Sequence, residues 1–159
     1  MNTVGRSFAL LMLLAGVEAQ ALDCTFSTTG VAFGVYDPVA TTPSTATGNL
    51  TVTCTHAGGG ATRVNYTAAL STGNSGTYSQ RRMRAGGAVL NYNLFDGASY
   101  TRVWGNGTAG TGVIVGALLV NPGNNQVNEA FHPIYGYLPP QQEAAIGSYS
   151  DTILVTLTF

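Results

Sequence analysis

Thr152-Ile153-Leu154-Val155-Thr156-Leu157-Thr158-Phe159 closes the sequence, and its apolar residues recur at every second position. Ile153, Val155, Leu157 and Phe159 share one side; Thr152, Leu154, Thr156 and Thr158 share the other. A period of two is that of a β-strand with one buried face. The sequence stops inside this strand. Upstream, Leu50, Val52 and Cys54 alternate with Thr51, Thr53 and Thr55, and Val64, Tyr66, Ala68 and Leu70 alternate with Arg63, Asn65 and Thr67. Ala88, Leu90, Tyr92 and Leu94 form another such face.

Weaker strand signals fill the intervals. They predict strands over Leu22–Phe26, Val31–Val35, Val113–Val120 and Tyr78–Arg84, the last carrying Arg81, Arg82 and Arg84. Asp96-Gly97 reads as a hairpin turn leading to a strand through Tyr100, Arg102 and Trp104. Glu129–Leu138 reads as a strand that Pro133 demotes to an edge or a bulge. Loops and turns are expected at 37–47, 56–61, 71–76, 105–112, 121–125 and 139–148. The 159 residues include 21 glycines and only 8% charged side chains, with a net charge of −1. All the basic residues are arginine, and good helix formers are scarce. The expectation is one all-β domain, a β-sandwich, with no bulk electrostatic attraction to nucleic acid.

Residues 1–21 read as a signal peptide: Arg6, an apolar run from Ser7 to Val17, and Ala19-Gln20-Ala21 as a small-x-small cleavage site. The run is too short to span a bilayer, so no stable membrane insertion is expected. The mature domain would then be 22–159. Cys24 and Cys54 are the only cysteines. In an oxidising compartment they are expected to pair, closing a loop of about 30 residues worth roughly 3–4 kcal/mol. Zinc and redox readings lack the spacing they need, and no cofactor or metal is called for.

Three stretches then acquire a common meaning: Cys24-Thr25-Phe26 running into Gly30-Val31-Ala32-Phe33-Gly34-Val35-Tyr36-Asp37-Pro38; Gly48-Asn49-Leu50-Thr51-Val52-Thr53-Cys54; and Gly147-Ser148-Tyr149-Ser150-Asp151-Thr152. In this order they resemble the spore coat protein U domain family, which includes subunits of archaic chaperone–usher pili. The resemblance implies an immunoglobulin-like sandwich that lacks its final strand and is completed by a donor strand from a neighbour. It implies a periplasmic chaperone, an outer-membrane usher and neighbouring fibre subunits as partners, and a route through the periplasm to the cell surface. Ile153, Val155, Leu157 and Phe159 would form the groove wall or the partner-facing strand. With cleavage after Ala21, only Leu22 and Asp23 precede Cys24, too short a stub to donate a strand. The chain is therefore expected to accept a strand without donating one, which would place it at a fibre tip or leave it outside the polymer. Two other readings stand beside it: an autonomous secreted sandwich that binds carbohydrate or a surface, and a spore or cell coat protein.

No catalytic constellation appears, and an enzyme is not expected. His56 and His132 belong to no metal-spacing motif, and Asp37, Asp96 and Asp151 sit where carboxylates cap turns. Arg81, Arg82 and Arg84 read first as a solvated strand edge that discourages unwanted pairing, second as a basic contact patch. Tyr92, Tyr100 and Trp104 read first as core, second as a sugar-stacking face. Tyr149 is a candidate for a hydroxyl-to-backbone corner.

Overall fold

The computed structural model describes residues 22–56, 60–121 and 127–159. The signal segment 1–21, the middle of the 56–61 turn and nearly all of the 121–125 turn lie outside the described residues. The strands are β1 (Leu22–Thr29), β2 (Ser44–His56), β3 (Thr62–Leu70), β4 (Arg81–Ala85), β5 (Ala88–Phe95), β6 (Ile114–Val120), β7 (Val127–Leu138) and β8 (Val155–Thr158). They form a five-stranded sheet, β1-β2-β7-β5-β4, and a three-stranded sheet, β6-β3-β8, with every ladder antiparallel.

Alternation decides which residues meet between the sheets. From Gly48 to His56 every second residue of β2 is buried, and Leu50, Val52 and Cys54 are fully enclosed. Val64, Tyr66, Ala68 and Leu70 face them from β3, with Leu118 and Val120 from β6. Leu90, Tyr92, Leu94, Ile134 and Leu138 complete the core. Trp104 is wholly buried and donates its indole N–H to Ala68 O at 3.0 Å. Cys24 lies directly opposite Cys54 in the β1–β2 ladder, and the two are joined, so the disulfide links neighbouring strands of one sheet.

Several expectations need correction. Residues 31–35 make no strand: Val31 and Phe33 pack against the core, Gly34 has φ +74°, and Val35 is exposed. β2 begins at Ser44, within the loop expected at 37–47. Tyr100 to Trp104 forms only isolated bridges, at Val103 and Trp104, and Tyr100 takes a left-handed φ of 53°. Pro133 interrupts nothing. β7 runs unbroken through the middle of its sheet, and the β5 ladder stops at Phe95↔Tyr135, so Pro133 is paired on one flank only. The last strand, expected from Thr152, forms its ladder only over Val155–Thr158. Of the three arginines, Arg82 and Arg84 are exposed as expected, but Arg81 is fully buried.

Candidate functional site

Five strands face three, and the mismatch leaves apolar surface uncovered. β8 pairs with β3 on one side, and no strand among the described residues pairs with its other edge. Beside that edge lies an open groove of about 1080 Å³. Leu90, Tyr92 and Leu94 of β5, Ile134 and Leu138 of β7 and Met83 of β4 line it from the larger sheet. Ile153 and Val155 line it from the last strand and the residues leading into it, with Leu70 beneath. Residues 28–36 and 144–151 form the rest of its rim.

Each wall has a local cause. On the way to β8 the chain crosses from one sheet to the other. Ser150 exchanges two backbone hydrogen bonds with Arg84 of β4, at 2.9 and 3.1 Å. Asp151 then fixes the crossing: one oxygen accepts from the backbone N–H groups of Asn74 and Thr152, and the other accepts the Tyr92 hydroxyl at 2.8 Å. Burial and this carboxylate push the Tyr92 pKa upward, so its hydroxyl stays a donor. Leu154 is tied to Ser71 in both directions, N–H to Oγ and O from N–H, each at 2.9 Å. Ser71 O in turn accepts from Nε and Nη2 of Arg81, which also donates to Trp104 O and to Asn93 Oδ1. Burial lowers the Arg81 pKa, opposed by Tyr92, Tyr78 and Asp151, but a guanidinium remains a cation in a protein. The buried arginine thus holds the corner from which β8 hangs.

The opposite rim rests on glycine. A Cβ at Gly136 would come within 2.4 Å of Val31 and 2.8 Å of Phe33, so only glycine lets this segment lie against β7. Phe33 meets Tyr92 edge to face at 5.9 Å. Tyr36 secures the far end by donating to Pro139 O and accepting the Gln142 N–H.

Of the residues singled out in the terminal strand, Ile153 and Val155 face the groove. Leu157 packs half-buried against the core outside it, and Phe159 is exposed with its ring 6.2 Å from Tyr66. The structure does not gather all four in one wall. Alternation could flag Leu90, Leu94 and Leu138 as inward-facing, but no local pattern distinguishes groove floor from closed core. His132 is half-buried against Tyr66, whose hydroxyl lies 2.7 Å from its Nε2, and His56 is buried at the end of β2. Asp37 caps a turn by accepting the Val39 N–H, and Tyr149 donates its hydroxyl to Ala145 O. Among the described residues no three His, Cys, Asp or Glu side chains cluster as metal ligands, and no helix is long and apolar enough to cross a membrane.

Comparison with known proteins gives this geometry a context. The sequence model of the Spore Coat Protein U domain matches residues 10–156. "Protein U" of Myxococcus xanthus is 30% identical over 135 residues, which cover 80% of this chain and 70% of that protein. Among solved structures, one chain of the CsuC–CsuE chaperone–tip adhesion subunit pre-assembly complex, from the archaic chaperone–usher Csu pili of Acinetobacter baumannii, is similar in fold. The TM-score is 0.57 at 19% identity, over 87% of this chain and 40% of that chain. This chain therefore spans less than half the length of its structural neighbour.

Proposed function

Because this chain belongs to the spore coat protein U domain family, we propose that it is a non-catalytic structural or adhesive subunit of a chaperone–usher surface fibre. It accepts a strand from another molecule along β8. The observation that carries this reading is the unpaired edge of β8 beside an open groove floored by Leu90, Leu94, Ile134 and Leu138. A donor strand laid there hydrogen-bonds to the free edge and buries every second side chain in the groove. Each apolar side chain so buried contributes about 1.5–3 kcal/mol. The likeness in fold to a chain crystallised in a chaperone–subunit complex supports the same reading.

In this account a periplasmic chaperone occupies the groove first, an outer-membrane usher exchanges it for the next subunit, and the protein ends at the cell surface. Cleavage after Ala21 leaves two residues before Cys24 and makes this an acceptor at the fibre tip. Intact mass of the mature protein tests that assignment. The strand-accepting role is tested by titrating the mature chain with a synthetic peptide of alternating apolar residues. A saturable rise in the thermal midpoint, abolished by Ile153→Asp, is expected. A lone chain that melts cooperatively and ignores such peptides would overturn it. The family's name and the likeness to Protein U favour a second reading, a coat protein on the same scaffold; immunogold labelling separates coat from filament.

A further inference from the structure

The outer face of the five-stranded sheet carries a feature that strand acceptance does not use. Tyr135 and Tyr137 point away from the core, on the side of β7 opposite Ile134, Gly136 and Leu138. Phe95 lies opposite Tyr135 in the ladder. Tyr100, from the loop after β5, touches all three rings: centroids lie 5.6 Å from Phe95, 6.4 Å from Tyr135 and 5.4 Å from Tyr137. All four rings are half-buried. Phe131, 62% exposed on the same face, extends the aromatic column along β7 over about 20 Å.

Three observations say what the cluster fits. The first is hydroxyl chemistry. The protein has eight tyrosines. Tyr36, Tyr66, Tyr78, Tyr92 and Tyr149 each place the hydroxyl on a protein hydrogen-bond partner. The three whose hydroxyls have none among the described residues are Tyr100, Tyr135 and Tyr137, the three of this patch. The second is backbone strain. A left-handed φ at a bulky residue is uncommon and costs of order 1 kcal/mol, yet it sets the Tyr100 ring at the hub. The third is charge: Asp96 and Arg102 beside the loop pair with each other, so no unpaired charge sits at the rings, and exposed Arg82 and Arg84 on β4 and Glu129 on β7 lie outside the cluster.

We infer that this face is a binding platform for a neutral polysaccharide. Ring faces accept the C–H faces of pyranoses, and the three free hydroxyls, with exposed Thr45 and Thr47 on β2, exchange hydrogen bonds with sugar hydroxyls. A dry protein partner would bury those hydroxyls unpaired, at a cost, and an anionic ligand laid on the rings would meet no unpaired cation, since Arg102 is held by Asp96. The inference stands apart from the groove, which opens on the opposite face of the sheet.

The test uses the full chain, exported and purified in the complex in which it leaves the cell, passed over insoluble cellulose and insoluble chitin. Retention on at least one is expected, unchanged between 0.1 and about 1 M salt because the contact is uncharged. Tyr100→Gly removes the ring and relieves the φ. It should lower the bound fraction about tenfold in protein that still melts cooperatively, whereas a purely structural tyrosine would lower the midpoint and leave retention of the folded fraction unchanged. The Tyr135→Phe/Tyr137→Phe pair removes only hydroxyls and should weaken retention several-fold. Flow-through of wild type on both matrices, retention insensitive to both variants, or self-association that Tyr100→Gly abolishes would each overturn the inference and leave the fibre reading untouched.

Discussion

Replacing Arg81 by Met should be among the most damaging single changes in this protein. The guanidinium is wholly buried and makes four hydrogen bonds, to Ser71 O twice, Trp104 O and Asn93 Oδ1. Methionine fills much of the volume but leaves those three acceptors without their donors, at about 1–3 kcal/mol each when buried. Removing the cation also removes its desolvation penalty, so the net loss should be about 3–5 kcal/mol, the usual range when one partner of a buried polar network is taken away. For a domain of this size that is roughly 10–15 °C in thermal midpoint. Arg81→Lys keeps the charge but not the planar fork, and should recover less than half of the loss. Because Ser71 anchors Leu154, either variant should also weaken donor-peptide affinity. Thermal unfolding followed by near-ultraviolet circular dichroism, with peptide titration in parallel, measures both effects. A Met variant within about 1 kcal/mol of wild type would refute the reasoning, since the acceptors would then be finding partners elsewhere.

Removing the disulfide by Cys24→Ala/Cys54→Ala should cost about 3–4 kcal/mol in denaturant unfolding, from the closed loop of 30 residues alone. Gly136→Ala should displace Val31 and Phe33 from the groove rim, destabilise the chain by about 1–3 kcal/mol, and reduce peptide affinity more than an equally destabilising change far from the groove. His132 is held below its ordinary pKa by burial, so the unfolded chain binds its proton first. Stability should be constant above about pH 7, fall as pH drops through 6.5, and level off below the folded-state pKa. His132→Gln should remove that slope in a pH series of melting midpoints.

Strands carrying strict alternation were legible. The β2 and β3 faces of Leu50, Val52 and Cys54, and of Val64, Tyr66, Ala68 and Leu70, are buried as their spacing requires. Placing Tyr92 with Leu90 and Leu94 correctly assigned it to the core, and Trp104 is core too. Burial of Arg81 was not legible, because its partners are two backbone carbonyls and an amide at least ten residues away. A run of three arginines reads as solvated unless the fold is known. Pro133 misled for a related reason: its tolerance depends on where the β5 ladder ends, which is a property of another strand. Val31–Val35 has strand composition but no partner strand, and composition cannot report a missing neighbour. From sequence, Tyr100 reads like Tyr92 and Trp104, first as core and second as a sugar contact. Only the three-dimensional placement separates it from them and joins it to Tyr135 and Tyr137.

The clasp between β1 and β2 has a mechanical consequence. Cys24 and Cys54 stand in directly opposed registers of adjacent strands, so the covalent bond lies across the ladder. Tension entering near Cys24 passes through sulfur to β2, in the interior of its sheet, without having to strip the edge strand away. The segment between the cysteines stays slack, and about 100 Å of contour length is never released. Oxidation therefore withholds that length under load, and a reduced protein would yield from its outermost strand first.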